Sequence, residues 1–136
     1  MRLNATYEIR DGYLYVKVAG EYDPTTARAV TLEWIEKARS HALNRILCDI
    51  TLMTGFDVQQ TSTTTQFDIS EFVAERFPRD FRLAILGADQ QFTKDLFLEN
   101  VLRNRGIIAK VTFRLDEALE WLGVTSANKA DVGDVK

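Results

Sequence analysis

The chain has little of what covalent or metal chemistry needs. Its 136 residues include one cysteine, one histidine and two prolines. One cysteine cannot close an intramolecular disulfide, and Cys48 lies in an apolar run, where an inert buried thiol is expected. His41 has no second histidine to join it, which argues against a zinc site or a triad, and it falls at the end of a helical stretch. Glycine-rich phosphate loops and Cys/His metal spacings are missing, so neither a metal nor a cofactor is expected. No stretch approaches the ~18 apolar residues of a membrane span. The opening residues lack the apolar stretch of a signal peptide. A net charge of −3 is too small for electrostatic steering and has the wrong sign for a nucleic-acid binder, so no nucleic acid is expected as a partner. These exclusions leave a bacterial-type cytoplasmic protein as the expectation.

What is present is periodicity. Tyr7 and Ile9 alternate before Asp11-Gly12, and Leu14, Val16 and Val18 alternate after it. This predicts a hairpin on a type I′ turn, with positive φ at both central residues. Asp23-Pro24 opens a helix, with the carboxylate as N-cap and proline in the first turn. Ala27, Val30, Trp34, Ile35 and Ala38 form its packing stripe. A strand follows over Arg45–Ile50, then a loop from Thr51, then a second helix from about Asp57 to Phe77, with Pro78 ending it. Phe81–Gly87 is a strand, a third helix starts at Thr93 and closes at Gly106, and Ile107–Phe113 is the last strand. Asp116 is expected to cap a short terminal helix stopped by Gly123. The order predicts one α/β domain over residues 1–124: a starting hairpin, then alternating helices and strands, giving a five-stranded, mostly parallel sheet packed by four helices. Residues 125–136 are small, polar and aperiodic and read as a flexible C-terminal tail.

Two stretches carry a family resemblance. Phe113-Arg114-Leu115-Asp116-Glu117-Ala118-Leu119-Glu120-Trp121-Leu122 resembles the terminal strand and helix of the SpoIIAA-like branch of the STAS superfamily, the anti-sigma-factor antagonists. Phe81-Arg82-Leu83-Ala84-Ile85-Leu86-Gly87-Ala88-Asp89 resembles the central strand and loop of that branch. With the element order, the resemblance runs from Tyr7 to Gly123. It implies a STAS fold and a regulatory role exerted on a protein partner, switched by phosphorylation of a serine that follows an aspartate at the start of the second helix. Setting Asp49 on the aspartate that ends the third strand of the family brings Asp57 onto the aspartate before that serine. The acceptor position is then Val58, with Gln59 and Gln60 after it. Valine cannot be phosphorylated, so the switch is not expected here. Thr54, just before Gly55, is the nearest alternative hydroxyl.

Asp49, Thr54, Asp57, Val58 and Gln59 are therefore the candidate regulatory or partner-contact residues. Asp49 and Asp57 can be read as an acid/base or Mg²⁺ pair. The expectation is instead that Asp49 bonds loop amides and Asp57 caps the next helix. The run Thr61–Thr65 is a weak helix former, and the third helix is apolar around more than one face. Together these suggest a loosely held helix pair, with amide exchange fastest over Thr51–Thr65. The surplus apolar surface either packs within the fold, meets a second copy in a homodimer, or covers a ligand. The function expected is a non-enzymatic regulatory or binding domain acting on a protein partner or a small apolar ligand. The alternative is a peripheral membrane or lipid-associated protein whose second and third helices part to expose Phe67, Leu96, Phe97 and Leu98.

Overall fold

The computed structural model describes residues 2–55, 63–88 and 97–124, without the side chains of 63–67 and 97–98. Strands β1 (Asn4–Arg10) and β2 (Tyr13–Glu21) form the antiparallel hairpin, with Arg10 opposite Tyr13. Its turn corrects the type I′ expectation. Gly12 has φ +86° and Asp11 does not have positive φ, the sign pattern of a type II turn. That turn confines the left-handed geometry to the one residue without a Cβ.

The chain continues as α1 (Pro24–Ser40), β3 (Arg45–Thr54), α2 (Thr63–Arg76 as described), β4 (Arg82–Leu86), α3 (Phe97–Asn104 as described), β5 (Ile108–Thr112) and α4 (Leu115–Leu122). The sheet order is β1-β2-β3-β4-β5, and every pairing after the hairpin is parallel. When parallel strands add in chain order, right-handed crossovers place all the connecting helices on one face. The packing agrees. Leu14, Val16, Val18, Ile46, Cys48, Leu83, Ile85, Ala109 and Val111 face a core filled by Trp34, Ile35 and Ala38 of α1, Val73 and Ala74 of α2, and Leu102 of α3. Trp34 meets Phe77 edge-on at 5.8 Å, and Phe77 meets Phe81 likewise. The opposite row, Tyr13, Leu47, Ala84 and Leu86, is covered among the described residues by α4 alone, through Ala118, Leu119 and Leu122. α4 packs mainly over β3, β4 and β5 and reaches Tyr13 of β2.

Two boundaries differ from the expectation. β3 does not stop at Ile50, because Gly20 and Glu21 prolong β2 and pair with Met53 and Thr54. Thr51–Thr54, read as the start of a loop, is therefore ladder. α4 starts at Leu115 with Arg114 at the N-cap position, and no side chain caps it. Asp116 instead pairs with the Arg114 guanidinium at 2.9 Å. Thr112 and Glu117, joined hydroxyl to carboxylate at 2.9 Å, tie the helix start to β5.

Helix ends contain a testable irregularity. At the start of α1, Asp23 accepts the Thr26 amide at 2.8 Å, as expected of an N-cap. At its end, Leu43 N bonds Ala38 O and Ala42 N bonds Arg39 O, the paired bonds of a Schellman motif. α3 and α4 close the same way, around Gly106 and Gly123. In α1 the left-handed position holds Ala42, at φ +56°. An L side chain there costs ~1–2 kcal/mol that glycine does not. Ala42→Gly should therefore stabilise the protein by about 1 kcal/mol, read as a higher urea midpoint with an unchanged slope.

Candidate functional site

The carboxyl end of β3 was the expected location of the site, and its geometry is set by a β-bulge. Lys17 pairs with Asp49 but Ala19 pairs with Leu52, so Ile50 and Thr51 together oppose Val18. Bulges are uncommon between parallel strands and leave an amide without a ladder partner. Asp49 supplies that partner. Its Oδ1 accepts the Thr51 amide at 3.0 Å and the Thr51 hydroxyl at 2.7 Å, and its Oδ2 accepts the Tyr15 hydroxyl at 2.6 Å. The carboxylate is buried and lies on the α4 face, in alternation with Leu47. Burial, then the bond to Asp49, pushes the Tyr15 phenol above its ordinary range. Arg10 stacks over the Tyr15 ring at 4.0 Å.

The extra residue reverses the alternation of β3. Before the bulge Cys48 and Ile50 face the α1–α3 core; after it Met53 does, and Leu52 is turned out to 54 % exposure. Asp49 thus shapes the interior from the far side of the sheet. Asp49→Ala would leave the Thr51 amide and the part-buried Tyr15 hydroxyl without their acceptor. We expect a loss of about 2 kcal/mol and a change in the amide shifts of Thr51 to Met53. Asp49→Asn, which keeps an acceptor, should lose less.

On the helix-covered side of the bulge lies an apolar cavity of about 100 Å³. Val18, Ile50 and Met53 line it from the sheet, Val30 and Trp34 from α1, and Val73 from α2. The Thr31 hydroxyl at its wall is bound to Ala27 O at 2.9 Å, and no charged residue lines it among the described residues. Cys48 also borders the cavity. Burial, with Asp49 adding to it, pushes this thiol up to about 12, so it stays protonated and inert, as the sequence suggested.

Of the candidate residues, Asp49 sits mid-strand. Thr54 ends β3, exposed, with its hydroxyl 3.4 Å from Gly20 O. Asp57, Val58, Gln59 and Leu96 lie outside the described residues, as do the side chains of Phe67, Phe97 and Leu98. The pairing of Asp49 with Asp57 therefore lies outside the described residues as well. Sequence reasoning missed Arg10 and Tyr15. The available signal was that Tyr13 and Tyr15 alternate with Leu14, Val16 and Val18, the mark of a strand covered on both faces. It also missed Glu99, a buried carboxylate of α3 that accepts the Val111 amide at 2.6 Å. No helix among the described residues is long and apolar enough to cross a membrane.

No protein-family model and no curated protein sequence matches this chain. Solved structures do. An anti-sigma factor antagonist from Mycobacterium paratuberculosis is similar at a TM-score of 0.63 and 16% identity, over 90% of this chain and 95% of that one. An uncharacterized protein with a SpoIIAA-like fold from Shewanella loihica PV-4 is similar at a TM-score of 0.55 and 19% identity, over 88% and 93%. At such identities the likeness is one of fold.

Proposed function

We propose that this chain, which has the SpoIIAA-like fold, is a non-enzymatic regulatory domain that takes a small apolar ligand between its sheet and the first two helices. The observation that carries this is the cavity of about 100 Å³, walled by apolar side chains. An apolar cavity of roughly 150 Å³ stays dry and accepts a benzene-sized guest. This one suits a guest of a few carbons, or the end of a longer acyl chain. The non-enzymatic part rests on Asp49, the one described candidate acid, whose two oxygens are both engaged within the fold. A protein partner as the recipient of the signal is supported by the likeness to an anti-sigma factor antagonist. The surface next to the cavity, around Thr54, is where it would dock.

The test is an NMR titration with a short aliphatic alcohol, repeated with Val73→Phe, which fills the cavity from α2. Binding that shifts Ile50, Met53 and Val73 and disappears in the variant supports the reading. No saturable shift, or binding indifferent to Val73→Phe, would refute it. Co-sedimentation with vesicles but no alcohol binding would favour the membrane-associated alternative. The phospho-switch is a separate matter. With valine at position 58, incubation with ATP and a serine kinase of the anti-sigma type should leave Asp57–Gln60 unmodified by mass spectrometry. Stoichiometric phosphate on Thr54 that altered partner binding would reinstate a switch.

A further inference from the structure

An open five-stranded sheet has two edges, and this protein treats them differently. At β5 the outward backbone groups are occupied by α3. Arg103 Nε donates to Ala109 O at 2.9 Å, and the Val111 amide donates to Glu99 at 2.6 Å. At β1 no described residue pairs with the outer edge. The hairpin closes through a two-residue turn, so Arg10, Glu8, Thr6 and Asn4 direct their backbone groups to β2, and Ala5, Tyr7 and Ile9 direct theirs outward. Proteins usually blunt such an edge with proline, lysine or a bulge. β1 has none of these. Its two charges, Glu8 and Arg10, are paired with each other.

We propose that β1 is the dimerisation edge of this protein, and that its occupant is β1 of a second copy, antiparallel, with the two-fold axis at Tyr7. The register follows by elimination. Centring the pair on Glu8 sets Glu8 against Glu8, and centring it on Thr6 sets Arg10 against Arg2; like charges directly opposite are destabilising. Centring on Ala5 or Ile9 leaves about half of the strand unpaired or runs it into the Asp11-Gly12 turn. Centring on Tyr7 uses the whole strand. Asn4 then opposes Arg10, Thr6 opposes Glu8, and Ala5 opposes Ile9. Every outward-facing residue meets another outward-facing residue, so the free amides and carbonyls of Ala5, Tyr7 and Ile9 are all bonded. Ala5, Tyr7 and Ile9 lie on the helix side of the sheet, so the apolar row continues across the axis and covers Ile9, otherwise 49 % exposed. The result is one ten-stranded sheet. This surface is independent of the cavity reading.

Sedimentation velocity of the full chain over a wide concentration range should show a reversible dimer. Thr6 and Glu8 of opposite copies form a non-hydrogen-bonded pair, whose Cα atoms lie about 4.5 Å apart, within disulfide range. Mixing Thr6→Cys protein with Glu8→Cys protein under mild oxidation should give a covalent heterodimer, and neither alone should cross-link. Ile9→Pro removes an outward amide without touching a bond to β2; it should halve the apparent mass and keep the native circular dichroism. A monomer at every concentration would overturn the proposal. So would a dimer in which the mixed cysteines fail to join, a result that stands even if Ile9→Pro does not fold.

Discussion

Trp34→Ala should be the most damaging single truncation in this protein. The indole is 3 % exposed, lies on the sheet-facing stripe of α1 with Thr31, Ile35 and Ala38, and meets Phe77 edge-on. Truncating a buried tryptophan costs ~3–5 kcal/mol, rising with the void left behind. Here the void would merge with a cavity already present, since Trp34 lines it. The upper half of that range is expected, with a fall in melting temperature on the order of 10 °C or more. Urea unfolding followed by far-UV circular dichroism reads it directly. Trp121 is the internal comparison: it is half-buried near the end of α4, with Arg82 5.9 Å from its ring, and its truncation should cost less. A Trp34→Ala variant as stable as the parent would mean that α1 is not docked through this stripe.

Gly20→Ala ranks second, for a reason that residue type alone does not disclose. Gly20 has φ +104°, and a Cβ built on it would lie 2.3 Å from Arg2 O and 3.0 Å from Leu3 Cα. These are backbone atoms, which cannot swing aside like the end of a long side chain. Accommodating the methyl requires the Arg2–Leu3 segment to lift, and Leu3 is buried at 4 % exposure in the main core and lines the cavity. Strain at positive φ of ~1–3 kcal/mol adds to part of the ~1.5–3 kcal/mol for burying a leucine. A loss of about 3 kcal/mol is expected, with new amide-exchange sensitivity at Leu3 to Ala5. Loss well under 1 kcal/mol would show that the segment is not seated against β2 as described.

The element order, the parallel sheet, the four helices and the SpoIIAA-like fold were legible in the sequence, because apolar periodicity and helix punctuation are local. Asp23-Pro24 and Gly123 mark helix ends whatever surrounds them. The misreadings share one cause. Asp116 looks like an N-cap, but the first turn of α4 is set by Thr112 and Arg114 at the end of β5, so the carboxylate is left to Arg114. Thr51–Thr54 looks like a loop because its ladder partners, Gly20 and Glu21, are over thirty residues earlier in the chain. Ala42 gives no sign that it occupies a left-handed position.

The candidate site divides along the same line. Sequence alone determined that position 58 carries no hydroxyl to phosphorylate, that Cys48 is an apolar-strand thiol, and that Leu14, Val16 and Val18 form one buried row. Those properties belong to single residues and their neighbours. Only the tertiary structure decided which face each residue serves. One bulge, held by Asp49 from beneath, turned Met53 inward and Leu52 outward and set the wall of the cavity. The side-chain period of a strand is two, so a single inserted residue reverses every assignment after it. Whether a residue is inserted depends on the facing strand. The same dependence left β5 closed by Glu99 and Arg103 and, among the described residues, β1 unpaired at its outer edge.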